Sequence, residues 1–314
     1  MAMYRVLLLA FSVFLTSCVS LFYGSEAGIN YANNVIDVSS FQVLDEKELE
    51  NRLGSAKVIL IGEKHDHPSH HRIQAQLIAR LADQPIEGIW FEHFDRTQKK
   101  DLKSFDHANG TPEKLRQIID WDNSGWPDWN LYEPLFIEVL NLKKPLYASN
   151  LDRAAVASVM KVGYEIVFNL DKVDKLKLNQ GLPNGLNEKL SDLIDKTHCH
   201  RMPDSLKQKM VRAQRAKDAY MALSLGAPSQ NSVKVFIAGN GHIRNDWGVP
   251  HYLQSLGYQK KDILSIGILE GQWDESLKQK DAYPYDIVFF TKVHDDRDPC
   301  EVYKESLKRL KSKT

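Results

Sequence analysis

Val58-Ile59-Leu60-Ile61-Gly62-Glu63-Lys64-His65-Asp66-His67-Pro68-Ser69-His70-His71 is the stretch on which the reading of this chain turns. Four consecutive branched apolar residues, with no polar residue alternating among them, predict a strand covered on both faces. An amphipathic helical pattern follows over residues 69–81. Similar apolar runs recur at 86–91, 145–148, 233–238, 263–269 and 286–291, with helical patterns at 111–120, 132–142 and 248–256. Strand and helix in alternation predict an α/β fold, a mainly parallel sheet with helices on both faces. Residues 153–225 break the alternation and read as helical almost throughout, interrupted at Gly181-Leu182-Pro183-Asn184-Gly185 and at Met202-Pro203. The expected organisation is an α/β domain from 37–152 and 231–296, with a smaller all-α insertion at 153–230. Such a block buries itself poorly alone, so it is expected to pack over one sheet edge as a lid. Residues 297–314 read as a C-terminal tail.

The unusual polar residues cluster where apolar runs end. Glu63, His65 and Asp66 follow the first strand, Glu92 the second, and His242 and Arg244 the 233–238 strand, within Gly239-Asn240-Gly241-His242-Ile243-Arg244. In an open parallel sheet the carboxyl ends of the strands border one crevice, where ligands bind. Two glutamates and two histidines there are costly to bury unless paired or bound to something. His65-x-His67 with His70-His71 is compatible with metal binding, although the spacing is not that of a helical His-Glu-x-x-His site.

Lys and Arg total 41 and Asp and Glu also 41, so the chain has no excess charge to attract a nucleic acid. At the N-terminus a cationic start, the apolar segment 6–15 and small residues before Cys18 form a secretory signal over 1–17. Leu15-Thr16-Ser17-Cys18 resembles the bacterial lipobox, which implies acylation of Cys18 and lipid anchoring in the cell envelope. Val19 supplies no aspartate to suggest inner-membrane retention, so the outer membrane is the expected destination. Small polar residues over 18–36 read as a tether. With Cys18 lipidated, Cys199 and Cys300 remain, either bridged in an oxidising compartment or as two partly buried thiols.

Several motifs together resemble a known family. Ile61-Gly62-Glu63-Lys64-His65-Asp66 with His71, Trp90-Phe91-Glu92, Trp121 with Gly125-Trp126-Pro127 and Tyr132 carry part of the likeness. His198-Cys199-His200-Arg201-Met202-Pro203, and Ala238 to Arg244 with Asp246 and Gly248-Val249-Pro250, complete it. The pattern is similar to the ChaN-like haem-binding lipoproteins of the Tiki and erythromycin-esterase superfamily, over about residues 40–295. The resemblance implies a parallel α/β domain with a small helical domain. It also implies non-covalent haem binding in iron acquisition, in a pocket shared by two protomers of a homodimer. An axial tyrosine would hold the iron, while a histidine and a lysine from the partner would hold the propionates. Tyr164 is the first candidate and Tyr220 the second, with a core or interface role the more common one for any single tyrosine. Lys161, His198 and His200 are candidate propionate contacts or ligands, and an outer-membrane haem receptor is an implied partner. Phenolate is a hard anionic donor suited to ferric haem. The chain lacks Cys-x-x-Cys-His, which excludes covalent c-type attachment.

A second reading is enzymatic: Glu63, His65, Glu92 and His242 could activate water in a hydrolase, with or without a metal. There is no Gly-x-Ser-x-Gly nucleophile elbow, so such an enzyme would depend on direct attack by water.

Overall fold

The computed structural model describes residues 34–273 and 283–302. The expected signal segment, Cys18, nearly all of the tether and residues 303–314 lie outside the described residues. The strands are β1 Val35–Asp37, β2 Gln42–Val43, β3 Val58–Ile61, β4 Ile86–Asp95, β5 Leu146–Asn150, β6 Val233–Ile237, β7 Ile263–Glu270 and β8 Ile287–Thr291. They form one sheet in the order β2-β1-β8-β7-β3-β6-β4-β5. From β8 to β5 every pairing is parallel, and only β1 runs antiparallel, to both β8 and β2. β3 lies near the centre, paired on both sides, and its four side chains are fully buried, as a strand without polar alternation requires.

Three features differ from the sequence expectation. The tether gives way before residue 36, because Val35 and Ile36 are buried and pair with Phe289 and Val288. A three-residue strand carries no periodicity to read. β4 continues past Phe91 to Asp95, its pairing with β5 shifting register between Phe91 and Asp95. Glu92 and His93 are therefore strand residues, one on each face of the sheet.

The third difference concerns the insertion, which enters between β5 and β6. Its elements are helices Arg153–Lys161, Leu170–Lys175, Leu186–Thr197 and Asp204–Leu225, with a 3-10 turn at Tyr164–Ile166. It covers a sheet face instead of capping an edge as a lid. Val58, Leu60, Trp90 and Phe236 share one core with Ala155, Val159, Ala216, Ala219 and Ala222. The small alanine row lets the Asp204–Leu225 backbone lie close to the sheet, and close packing of this kind is what a dense core demands. A satellite core of Leu182, Leu190, Ile194, Met202, Val211 and Trp247 holds the outer part of the insertion. The opposite sheet face packs on helix Trp129–Asn141, with Phe91 against Phe136 at 5.4 Å between ring centroids. That helix packs in turn on helix Pro68–Arg80. Among the described residues no helix is long and apolar enough to cross a membrane.

Cys199, just past helix Leu186–Thr197, is bonded to Cys300 in the short helix Pro299–Val302, with 5.6 Å between their Cα atoms. The bridge ties the insertion to the C-terminal segment across a sequence separation of 101 residues. Closing so long a loop restricts the unfolded chain strongly. Reduction, or Cys199→Ser, is expected to cost about 2–4 kcal/mol of unfolding free energy. Urea unfolding with and without reductant measures it, and an unchanged midpoint in wild type would contradict the cross-link.

Candidate functional site

β3, β6 and β4 are consecutive in the sheet, so the residues leaving their carboxyl ends meet. Glu63, just after β3, is buried on the face covered by helix Trp129–Asn141. Its Oε1 lies 2.7 Å from His65 Nδ1, 2.9 Å from His93 Nε2 and 3.0 Å from the Tyr132 hydroxyl. His71, from helix Pro68–Arg80, places Nδ1 3.1 Å from Oε2. Burial pushes the Glu63 carboxyl up, but charge on His93 and His71 and hydrogen bonds from His65 and His71 outweigh it. The carboxyl stays well below its ordinary value, as an anion.

Glu92 faces the other way, toward the insertion. Its Oε1 lies 3.0 Å from Lys217 Nζ and 2.9 Å from His242 Nε2, and its Oε2 accepts from the Gly239 amide at 2.9 Å. His242 Nδ1 in turn meets the buried Asp218 carboxylate, with Gln214 Nε2 at 3.0 Å. Against burial, His242 and Lys217 hold the Glu92 carboxyl well below its ordinary value. Burial pushes the His242 imidazole down, but Glu92 and Asp218 raise it to about 9, so it is charged at neutral pH.

His65 joins the two halves. It bonds Glu63 on one side and places Nε2 3.9 Å from Glu92 Oε2 on the other. Its ring is about a third exposed and packs against Trp126, 4.9 Å between centroids. Two glycines make room for this approach. A Cβ on Gly239 would stand 2.8 Å from His65 Nε2, and one on Gly62 would stand 2.1 Å from Asn240 Oδ1. Asn240 fixes the loop after β6 by bonding both the amide and the carbonyl of Ile268 in β7.

The structure thus brings Glu63, His65, Glu92 and His242 together. It leaves Asp66 exposed near Lys64, and Arg244 paired with Asp246 over the Trp247 ring. His67 and His70 stack on each other and bond Lys292 and Thr291, away from the cluster. His93, Lys217, Asp218 and Gln214 belong to the site although the strand-end pattern does not single them out. A signal for three of them exists: 214, 217 and 218 share one helical face and interrupt an otherwise apolar stripe.

The haem candidates lie in the insertion. Tyr164 is buried beside a cavity of about 440 Å³ that Arg212 and Arg215 also line, and the Arg215 guanidinium lies 5.8 Å from its ring centroid. Burial holds the Tyr164 hydroxyl above its ordinary value, with Arg215 and Arg212 offsetting part of the rise. The Tyr220 hydroxyl accepts from Lys99 Nζ at 2.8 Å. His198 bonds the Ile194 carbonyl, His200 bonds Asp195, and Lys161 is exposed at the end of its helix.

The chain, a parallel α/β sheet with a Glu/His network at its carboxyl edge and an all-α insertion laid on one face, matches a family of the Tiki superfamily. The chain belongs to the haem-binding uptake family of that superfamily, ChaN, whose pattern matches residues 49–253. A solved ChaN of Campylobacter jejuni, described with cofacial haem, is 25% identical with a TM-score of 0.65, covering 81% of this chain and 95% of its own. The type III effector HopBA1 is 10% identical with a TM-score of 0.43, over 84% of this chain and 99% of its own. An erythromycin esterase, EreC, is 12% identical with a TM-score of 0.39, over 88% and 86%. These last two are too distant to bear on function. No curated protein matches the sequence.

The raised His242 imidazole has a pH consequence. A group whose folded pKa exceeds its unfolded value of ~6.5 stabilises fully below ~6.5. That stabilisation is lost as pH rises through about 9. The unfolding free-energy gap between wild type and His242→Gln should therefore shrink by on the order of 3 kcal/mol between pH 6 and pH 9.5. Urea unfolding at the two pH values checks this, and a pH-independent gap would contradict a charged His242.

Proposed function

We propose that this protein binds haem non-covalently through its helical insertion, as a lipid-anchored envelope protein in iron acquisition. The observation that carries the reading is the surface around Tyr164. Val162, Ile166 and Leu170 are 65%, 53% and 67% exposed, and Val162 lines the cavity beside Tyr164. A buried phenol flanked by two arginines opens beside it. Apolar wall, anionic oxygen donor and nearby cations are what a ferric haem with two propionates requires. Burial holds the Tyr164 hydroxyl above its ordinary value, Arg215 and Arg212 offset part of that rise, and Lys161 stands next to Val162 for a propionate.

Family membership supports haem as the ligand, and the cofacial haem of the Campylobacter protein supports a pocket completed by a second protomer. In such a dimer the exposed Val162, Ile166 and Leu170 would be covered. The lipobox ending at Cys18 supports anchoring at the outer membrane, where a haem receptor would be the partner, and the Cys199–Cys300 bridge fits an oxidising compartment. Tyr220 is the weaker ligand candidate, since Lys99 already occupies its hydroxyl. His198 and His200 are held by their own helix end and fit a supporting role.

Titration of the soluble fragment from Val19 with ferric haem should give a saturable Soret shift of high-spin character, with a monomer-to-dimer change in size. Tyr164→Phe should weaken binding at least tenfold, and Tyr220→Phe by less than threefold. Equal retention of the spectrum in both variants would remove tyrosine as the ligand.

A further inference from the structure

The Gly125-Trp126-Pro127 motif plays no part in the Tyr164 surface, and it borders a second cavity, of about 460 Å³, beside the carboxyl ends of β4 and β5. Asp95, Asp101, Asp120, Arg153, Trp126 and His93 line it. We infer that this cavity binds a neutral polyhydroxylated ligand, a saccharide of mono- or disaccharide size, held by the three aspartates, Arg153 and His93 against the Trp126 ring.

An unsatisfied atom in the wall is the first reason. His93 is 4% exposed, and its Nε2 is spent on the Glu63 carboxylate at 2.9 Å and the Tyr132 hydroxyl at 3.2 Å. Its Nδ1 has no hydrogen-bond partner among the described residues, a condition that buried polar atoms rarely keep. A hydroxyl completes this nitrogen whether or not it carries a proton, because an O–H both donates and accepts. An ammonium only donates and a carboxylate only accepts.

The rest of the wall makes the same choice. Asp95 Oδ1 accepts from the Thr97 amide and Asp120 Oδ1 from the Asn123 side chain, each at 2.8 Å, which leaves Oδ2 of both for a ligand. Arg153 gives Nη2 to the Ser124 carbonyl at 2.8 Å and keeps Nε and Nη1 as donors. Glu92, also on the wall, is already neutralised by Lys217 and His242. Three carboxylates repel an anion, and the guanidinium among them repels a cation, whereas hydroxyls donate to the first and accept from the second. No three of these acids bring ligand atoms within 4.8 Å of one another, so they do not form a metal cage. Trp126 is half-buried, with its indole N–H fixed on the His93 carbonyl at 3.0 Å, and its ring offers an apolar plate to the C–H face of a pyranose. The loop is shaped in advance: Asp120 and Gly125 take left-handed φ values of 50° and 87°, and a Cβ on Gly125 would stand 2.6 Å from Arg153 Nη2. Such preorganisation lowers the cost of binding.

The test is saturation-transfer NMR on haem-free protein. The probes are the methyl pyranosides of glucose, galactose, mannose and N-acetylglucosamine, with spermidine and citrate as charged controls. At least one pyranoside should show saturable transfer, strongest to the C–H protons of one ring face. Asp101→Asn alters an exposed side chain, and Asp120→Asn keeps a residue tolerant of left-handed backbone, so both should fold normally. Each should weaken pyranoside binding at least tenfold. Tyr164→Phe should leave it unchanged, which separates the outcome from that of the haem reading. Absence of saturable transfer to all four pyranosides in wild type would overturn the site. Tighter binding of spermidine or citrate, lost in the same aspartate variants, would overturn the neutral class. Pyranoside binding that survives both aspartate variants would place the sugar elsewhere and contradict the assignment.

Discussion

Two carboxylates, Glu63 and Glu92, are buried at the carboxyl edge of the sheet, and each must be neutralised where it lies. Burying an uncompensated anion costs more than a domain can supply. Because β6 separates β3 from β4, and because the two side chains turn to opposite faces, two independent shells of partners are needed. Tyr132 and His71 arrive on helices of one face and Lys217 and Asp218 on the helix of the other, while His93 and His242 come from the strand and loop between. The tryptophan-rich segment, the glycines after β3 and β6 and the close seat of helix Asp204–Leu225 all serve this arrangement.

Helix Asp204–Leu225 also links the two regions of interest. Gln214, Lys217 and Asp218 point to the sheet edge, while Arg212 and Arg215 point to Tyr164. Arg215 bonds the buried Tyr252 hydroxyl and the Lys177 carbonyl, which fixes the guanidinium beside the phenol. The Tyr164 surface and the Glu92–His242 network thus both rest on one rigid element. A fold can carry more than one site, which is why fold alone does not decide function.

Much of this was legible from the residues. Uninterrupted apolar runs marked the strands of the parallel sheet, and the polar residues after Ile61 and Ile237 marked its working edge. The rest was hidden for physical reasons. β1 is too short to show a period, and continuation of β4 through Glu92 and His93 depends on burial on both faces, which a polar pair does not advertise. The seating of the insertion on a face depends on the alanines at 216, 219 and 222, which read from sequence merely as good helix formers. Lys217 and Asp218 become partners of Glu92 and His242 only once that helix is docked.

The most direct test of the account is a crystal structure of the haem complex. Iron is expected on the Tyr164 oxygen, with haem lying on Val162, Ile166 and Leu170 against a second protomer and the Glu63–His65–His93 cluster free of porphyrin. Haem seated at the sheet edge, with His65 or His93 on the iron, would contradict it.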